Sequence, residues 1–132
     1  MVAAVPVLDS LRSETSTNGV YNITEFGTVE DPEQFAALMA YSPYHHVEDQ
    51  TSYPAVLLTA GEHDTRVEAW HAKKMAARLQ AATRSEHPVL LRMEAGGHLD
   101  GSLDQQVEES TDIYSFLFDQ LDLGYPARRS GR

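Results

Sequence analysis

The feature that most constrains the fold is a short apolar run, Ala-Val-Leu-Leu-Thr-Ala at residues 55–60, bounded by Pro54 and Gly61. Such a run is typical of a strand that is buried on both faces of a parallel sheet. Residues 68–82 then place apolar side chains at helical spacing, and a second apolar run follows at residues 88–93. The order strand, loop, helix, strand predicts a parallel pair joined by a right-handed crossover.

Two further helices are predicted on either side of this strand–helix–strand unit. Asp31 is an N-cap candidate, Pro32 suits the first helical position, and Gln34 stands at the third. The helix that they open continues through residues 35–40 and stops before Pro43. A last helix is predicted from its apolar stripe, which consists of Leu103, Val107, Tyr114, Leu117 and Leu121. This alternation of strands and helices indicates an α/β layered architecture.

The composition of the 132-residue chain excludes several classes of function. Its 10 basic and 20 acidic residues argue against a nucleic-acid partner, because phosphate binding needs a concentrated basic face. Without cysteine the chain has no thiolate nucleophile, no zinc finger and no disulfide framework. Every uninterrupted apolar run, including residues 55–58, is far shorter than the roughly 20 residues of a membrane span, so no membrane partner is expected.

Neither a cofactor nor a metal ion is expected. The six histidines show no spacing typical of a helical metal site, and no glycine-rich phosphate loop follows either strand. Residues 1–8 are apolar but lack the basic region and the cleavage site of a secretory signal, which favours a cytoplasmic location. Residues 125–132 are basic and rich in turn formers, and we expect them to form a disordered tail.

Two polar loops carry the candidate chemistry, because catalytic groups in such sheets lie at the carboxyl ends of the strands. Asp64 stands just past the first strand, and His98 stands just past the second, after two glycines. An aspartate that accepts a hydrogen bond from Nδ1–H of a histidine lets that histidine act as a general base toward a hydroxyl nucleophile. The order Asp then His matches the last two members of the α/β-hydrolase triad. Each residue alone also suits a structural role, Asp64 as a helix N-cap or turn residue and His98 as an exposed side chain.

Three segments of the chain resemble the prolyl oligopeptidase family of serine peptidases. They are Tyr-Ser-Pro-Tyr-His-His at residues 41–46, the strand and loop at residues 53–67, and Ala-Gly-Gly-His at residues 95–98. The resemblance covers roughly residues 3–121. It implies that residues 1–124 are the C-terminal part of an α/β-hydrolase catalytic domain, with parallel strands, crossover helices and an incomplete sheet.

The resemblance also implies roles for three residues. Asp64 and His98 would be the acid and the base of a Ser-His-Asp triad that hydrolyses peptide bonds of short peptides by acyl transfer. Arg66 would hold a substrate carbonyl, although an ion pair with Glu62 or Asp64 is an equal alternative. The implied partners are a peptide substrate, the upstream part of the hydrolase domain and a β-propeller.

The chain departs from the family pattern in two respects. No Gly-x-Ser-x-Gly nucleophile elbow occurs in the 132 residues, so we expect that the chain begins just downstream of the serine and is inactive alone. Asn22 stands where prolyl-cleaving members carry a tryptophan that stacks on the substrate proline, which leaves a strict preference for proline open. Phe26 either lines that pocket or belongs to the core. The alternative functions are an esterase that uses the same acid and base, and a non-catalytic interaction remnant.

Overall fold

The computed structural model describes residues 1–98 and 101–124, and the chain falls into two compact units, Met1–Asp100 and Gly101–Arg132. Within the first unit, three parallel strands form one sheet in the order β1, β2, β3. Their bounds are Val2–Ala4 for β1, Val56–Gly61 for β2 and Val89–Glu94 for β3. The parallel pair predicted from the two apolar runs is therefore present as β2 and β3, in an open sheet of an α/β fold.

The central strand β2 is buried along its whole length, as its uninterrupted apolar sequence indicates. Helix α3, Trp70–Ala82, connects β2 to β3 and packs its apolar face on both strands. The core between the sheet and α3 consists of Val56, Leu58, Ala60, Ala69, Ala72, Met75, Ala76, Leu79 and Val89. This packing fixes the carboxyl ends of β2 and β3 beside each other, with Gly61 paired to Glu94.

Strand β1 is an addition to the two strands predicted from the sequence. Its three residues are too few to show a period, and Pro6 follows shortly after them. The strand forms because β2 supplies its partners: Leu57 N donates to Met1 O at 2.9 Å, and Val5 N donates to Thr59 O at 3.0 Å. The pairing therefore depends on a contact between segments more than fifty residues apart.

The segment between β1 and β2 is built from short helices. Helix α1 spans Ile23–Phe26 and helix α2 spans Pro32–Tyr41, and three 3-10 turns lie at Ser13–Thr15, Gly19–Asn22 and Pro43–His46. The predicted start of α2 is confirmed, since the Asp31 carboxylate accepts hydrogen bonds from the backbone N–H of residues 33 and 34, both at 2.9 Å.

The described part of the second unit, residues 101–124, contains one long helix, α4, Leu103–Gln120. Its start is a capping box, in which Ser102 Oγ accepts from Gln105 N while the Gln105 side chain accepts from Ser102 N. No helix in the described part of the chain is long and apolar enough to cross a membrane. The predicted disordered tail, residues 125–132, lies outside the described residues.

Candidate active site

Asp64 is held by its own loop in a position just beyond the end of β2. The residue is 4% exposed, and its carboxylate Oδ1 accepts hydrogen bonds from Arg66 N at 2.8 Å and Val67 N at 2.9 Å. These two backbone donors occupy one oxygen of the carboxylate and fix the orientation of the group. The second oxygen, Oδ2, is left to face the loop that follows β3.

His98 lies on that second loop, and its Nδ1 is 2.7 Å from Asp64 Oδ2. The sequence-predicted pair is therefore brought together, although the two residues are 34 positions apart. Backbone hydrogen bonds join the two loops: Glu62 N donates to Glu94 O at 2.7 Å, and His63 N donates to Gly96 O at 3.1 Å. The rigid end of the sheet thus continues into the paired loops that carry the two side chains.

Gly61 permits this close approach of the two loops. A Cβ atom at this position would lie 2.3 Å from the carbonyl oxygen of Gly97 and 2.9 Å from that of Gly96. Any larger residue would push the loop away from β2, and His98 would move with it. The site therefore requires glycine at the last position of β2. The pattern of the apolar run does not indicate this requirement.

The Asp64 carboxyl is ionised at neutral pH. Burial raises its pKa, but the hydrogen bonds from Val67 N, His98 and Arg66 N outweigh burial, so the pKa lies below the ordinary value of an aspartate. An ionised carboxylate can only accept, so Nδ1 of His98 is the donor. In the neutral imidazole this leaves the lone pair on Nε2, where it can take a proton from a hydroxyl group.

Arg66 is exposed and borders a cavity of about 290 Å³. Its guanidinium forms no ion pair within residues 1–98 and 101–124, and only its backbone N–H binds Asp64. Phe26 is 57% exposed and also borders the cavity, so it is not a core residue. The rest of the wall is mixed in polarity, with apolar Val7, Ile23, Tyr41 and Pro43 and polar Ser10, Ser13, Glu14, Ser16, Asn22 and His71, besides Gly19 and Gly27.

A turn near residue 17 stabilises the loop of Asp64, and nothing in the sequence pattern points to it. The Glu68 carboxylate accepts from Thr17 N at 2.8 Å and from Thr17 Oγ1 at 2.5 Å, and Trp70 Nε1 donates to it at 2.7 Å. Asn18 Nδ2 donates to the carbonyl oxygen of Thr65 at 2.6 Å. The contacts made by Thr17 and Asn18 join segments about fifty residues apart, so no local motif could reveal them.

No group of three metal-ligating side chains is found among the described residues. The described residues of this site offer a carboxylate–imidazole pair and a cavity beside Arg66. A buried carboxylate that orients a histidine at the carboxyl ends of parallel strands is the arrangement that the acid–base half of a hydrolase triad requires. The three-stranded parallel sheet and its helices form part of an α/β-hydrolase fold.

Comparison with known proteins identifies the family. The model of the prolyl oligopeptidase family matches residues 1–124, so the chain belongs to this family of serine peptidases. It is 39% identical over 122 residues to the prolyl endopeptidase of Elizabethkingia miricola, a match that covers 90% of this chain and 17% of the relative. It is 33% identical over 132 residues to prolyl oligopeptidase A of Amanita bisporigera, with 98% of this chain and 17% of the relative covered.

Solved structures of the family superpose closely on the chain. A prolyl endopeptidase structure, 44% identical, has a TM-score of 0.88 and covers 93% of this chain. A structure of prolyl oligopeptidase B from Galerina marginata with a bound 35-residue substrate, 31% identical, has a TM-score of 0.87 and covers 96% of this chain. In both comparisons the chain spans 18% of the solved protein, so it matches a small part of its relatives.

Proposed function

We propose that the chain supplies the acid and the base of a serine peptidase that cleaves short peptides, with Asp64 and His98 in these roles. The observation that carries the proposal is the 2.7 Å contact between His98 Nδ1 and the buried Asp64 carboxylate. Two backbone donors on the other carboxylate oxygen keep the group ionised and correctly turned. The arrangement leaves Nε2 of His98 to activate a serine hydroxyl.

The nucleophile comes, in this proposal, from a polypeptide segment outside the 132 residues. Acyl transfer needs a serine oxygen, its base and oxyanion donors in one constellation. The printed sequence has no Gly-x-Ser-x-Gly turn. Residues 1–124 then act as the C-terminal part of the catalytic domain, and the 132-residue chain alone does not hydrolyse peptides.

The substrate binds, in this proposal, in the cavity beside Arg66. The exposed guanidinium there has no acidic partner among the described residues, which leaves its donors for a peptide carbonyl. Apolar side chains such as Phe26 and Val7 line the same cavity and suit an apolar side chain of the substrate. Asn22 also borders the cavity and offers no aromatic face, so the cavity should accept residues besides proline.

A chimaeric enzyme tests the proposal. In the prolyl endopeptidase of Elizabethkingia miricola, the segment that matches this chain is replaced by residues 1–124, and the product is treated with a fluorophosphonate probe and with peptide and ester substrates. We expect probe labelling and peptide cleavage by the chimaera, and no labelling of the 132-residue chain alone. Cleavage of esters without peptides would support an esterase instead.

The matched control is the same chimaera with His98→Ala. It keeps the fold of the scaffold but lacks the base, and turnover should fall by about 10³-fold or more. A folded chimaera that keeps full activity in this variant would contradict the proposed role of His98. Stoichiometric labelling of the isolated chain would contradict the external position of the nucleophile.

A further inference from the structure

His71, in the first turn of α3, makes contacts that the acid–base pair does not use. The residue is 3% exposed, and its Nδ1 accepts hydrogen bonds from Leu8 N at 3.3 Å and from Asp9 N at 3.2 Å. Its ring stacks on Trp70 with a centroid distance of 3.7 Å and an interplanar angle of 24°. The imidazole therefore ties the segment that follows β1 to the helix that follows the Asp64 loop.

The two donors fix the protonation of this ring. A nitrogen that accepts two backbone N–H groups presents its lone pair, so Nδ1 of His71 carries no proton and Nε2 carries one. Burial lowers the pKa of His71, and the positive charge of Lys74 lowers it further. The carboxylates of Asp9 and Glu68 raise it, but the pKa stays below that of an ordinary histidine. The ring is neutral at physiological pH.

The segment held by His71 is also fixed by a buried ion pair. The Asp9 side chain is fully buried, and its carboxylate binds Lys74 Nζ at 2.5 Å and Arg12 N at 3.2 Å. His45 Nδ1 approaches the same carboxylate at 3.9 Å. A protonated His71 would thus add a positive charge next to Lys74, where Asp9 is already paired.

This segment forms one wall of the cavity beside Arg66. Val7 and Ser10, which flank the two amides bound by His71, border the cavity, and so does His71 itself. Ser10 N donates to the buried Ser42 Oγ at 3.0 Å, which holds the far end of the segment. Loss of the two hydrogen bonds to His71 would loosen the wall at Leu8 and Asp9, which the Asp9–Lys74 ion pair and a 2.8 Å hydrogen bond from Tyr44 N to Leu8 O would still anchor.

We infer that His71 is a positioning residue for peptide binding: its neutral ring helps to hold the 7–10 wall of the cavity, and protonation of the ring loosens that wall. The inference rests on the proposed function in one respect, since it takes the cavity as the peptide site. The charged groups that face His71 are Asp9 from the wall, Glu68 from the loop before α3, and Lys74 from α3 itself.

The first test uses the unmodified 132-residue chain. Long-range ¹H–¹⁵N correlation spectra at pH 7 should show the proton of His71 on Nε2 and none on Nδ1. Trp70 is the single tryptophan, and a protonated imidazole stacked on it quenches indole emission. We expect this quenching of Trp70 emission to occur only below about pH 6.5, the ordinary pKa of a histidine. A proton on Nδ1 at pH 7 would overturn the inference.

Two variants then separate the acceptor from the ring. His71→Asn keeps an oxygen near the position of Nδ1, and His71→Phe keeps a ring on Trp70 but offers no acceptor. We measure amide exchange at Leu8 and Asp9, and the binding of a blocked dipeptide by chemical-shift changes. In the Asn variant, the amide protection at Leu8 and Asp9 and the dipeptide affinity should stay within about 3-fold of the parent, and the quenching of Trp70 in acid should be absent. In the Phe variant, the amide protection and the dipeptide affinity should each fall about 10-fold, because two hydrogen bonds are removed.

The outcomes distinguish the inference from the proposed function. Unchanged protection of both amides in a folded His71→Phe variant would overturn the positioning role. Equal losses in the Asn and Phe variants would also overturn it, because the acceptor would then have no effect of its own. If the parent chain binds no dipeptide while the tautomer and amide results are as expected, the wall is held by His71 and the proposed peptide site is wrong.

Discussion

Replacement of Asp64 by asparagine removes the charge of the site and preserves its shape. The carboxylate accepts three hydrogen bonds, from Arg66 N, Val67 N and His98 Nδ1. Hydrogen bonds to a charged group contribute about 1.5–3 kcal/mol each, and neutral ones about 1 kcal/mol. The asparagine oxygen keeps the two backbone bonds at neutral strength, while its NH₂ group faces Nδ1 of His98 and that bond is lost. We expect a loss of about 3 kcal/mol in the free energy of unfolding at pH 7.

This loss should depend on pH in a defined direction. The folded-state pKa of Asp64 lies below the ordinary value, so its contribution is complete above about pH 4 and is lost as the pH falls through the folded-state pKa. The difference between the parent chain and Asp64→Asn should therefore shrink from pH 7 to pH 3. The measurement is urea unfolding at several pH values, followed by the fluorescence of Trp70.

Asp122→Asn is the matched control, because this aspartate is exposed and has a positive φ of 51°, which asparagine tolerates. Its effect should stay within about 0.5 kcal/mol at every pH. A loss below about 1 kcal/mol for Asp64→Asn at pH 7, or a loss of the same size at both ends of the pH range, would refute the hydrogen-bond reasoning.

Three further substitutions test separate parts of the structure. Gly61→Ala should lower the free energy of urea unfolding by about 1–3 kcal/mol, because the added Cβ would lie 2.3 Å from Gly97 O. The control Gly124→Ala, whose Cβ would have no atom within 4 Å, should leave the free energy of unfolding unchanged, and equal effects of the two substitutions would contradict the close approach. Lys74→Met should lower the free energy of unfolding by about 3 kcal/mol at pH 7, because the buried Asp9 carboxylate loses its ammonium partner, and by less at pH 4. A loss of stability that grows in acid would contradict this prediction. Arg66→Ala should leave the unfolding free energy within about 0.5 kcal/mol and weaken dipeptide binding about 10-fold by chemical-shift titration; a stability loss with unchanged binding would indicate a structural role.

The elements that position the candidate site could be predicted because their signals are local. The apolar run of β2, the helical spacing of α3 and the second run of β3 each lie in one short stretch of sequence. Parallel pairing then places the two strand ends together, so Asp64 and His98 could be expected to meet before their distance was known.

The remaining features could not be predicted because they depend on contacts between distant segments. Strand β1 is too short to show a period and is ordered by its partner β2. Thr17 binds Glu68 across 51 positions, and Asp9 binds Lys74 across 65. His71 lies on the buried face of α3, where the sequence pattern shows only one polar residue among apolar ones. Its role follows from the two amides that the folded chain brings to its ring.

The proton on His98 is the most direct test of the acid–base pair. In ¹⁵N-resolved spectra of the 132-residue chain near pH 8, we expect a proton on Nδ1, shifted downfield by the 2.7 Å bond to Asp64, and a free lone pair on Nε2. The downfield signal should disappear in Asp64→Asn, whose amide cannot accept the Nδ1 proton in the same orientation. A neutral His98 with its proton on Nε2 in the parent chain would contradict the proposed acid–base roles of the two residues.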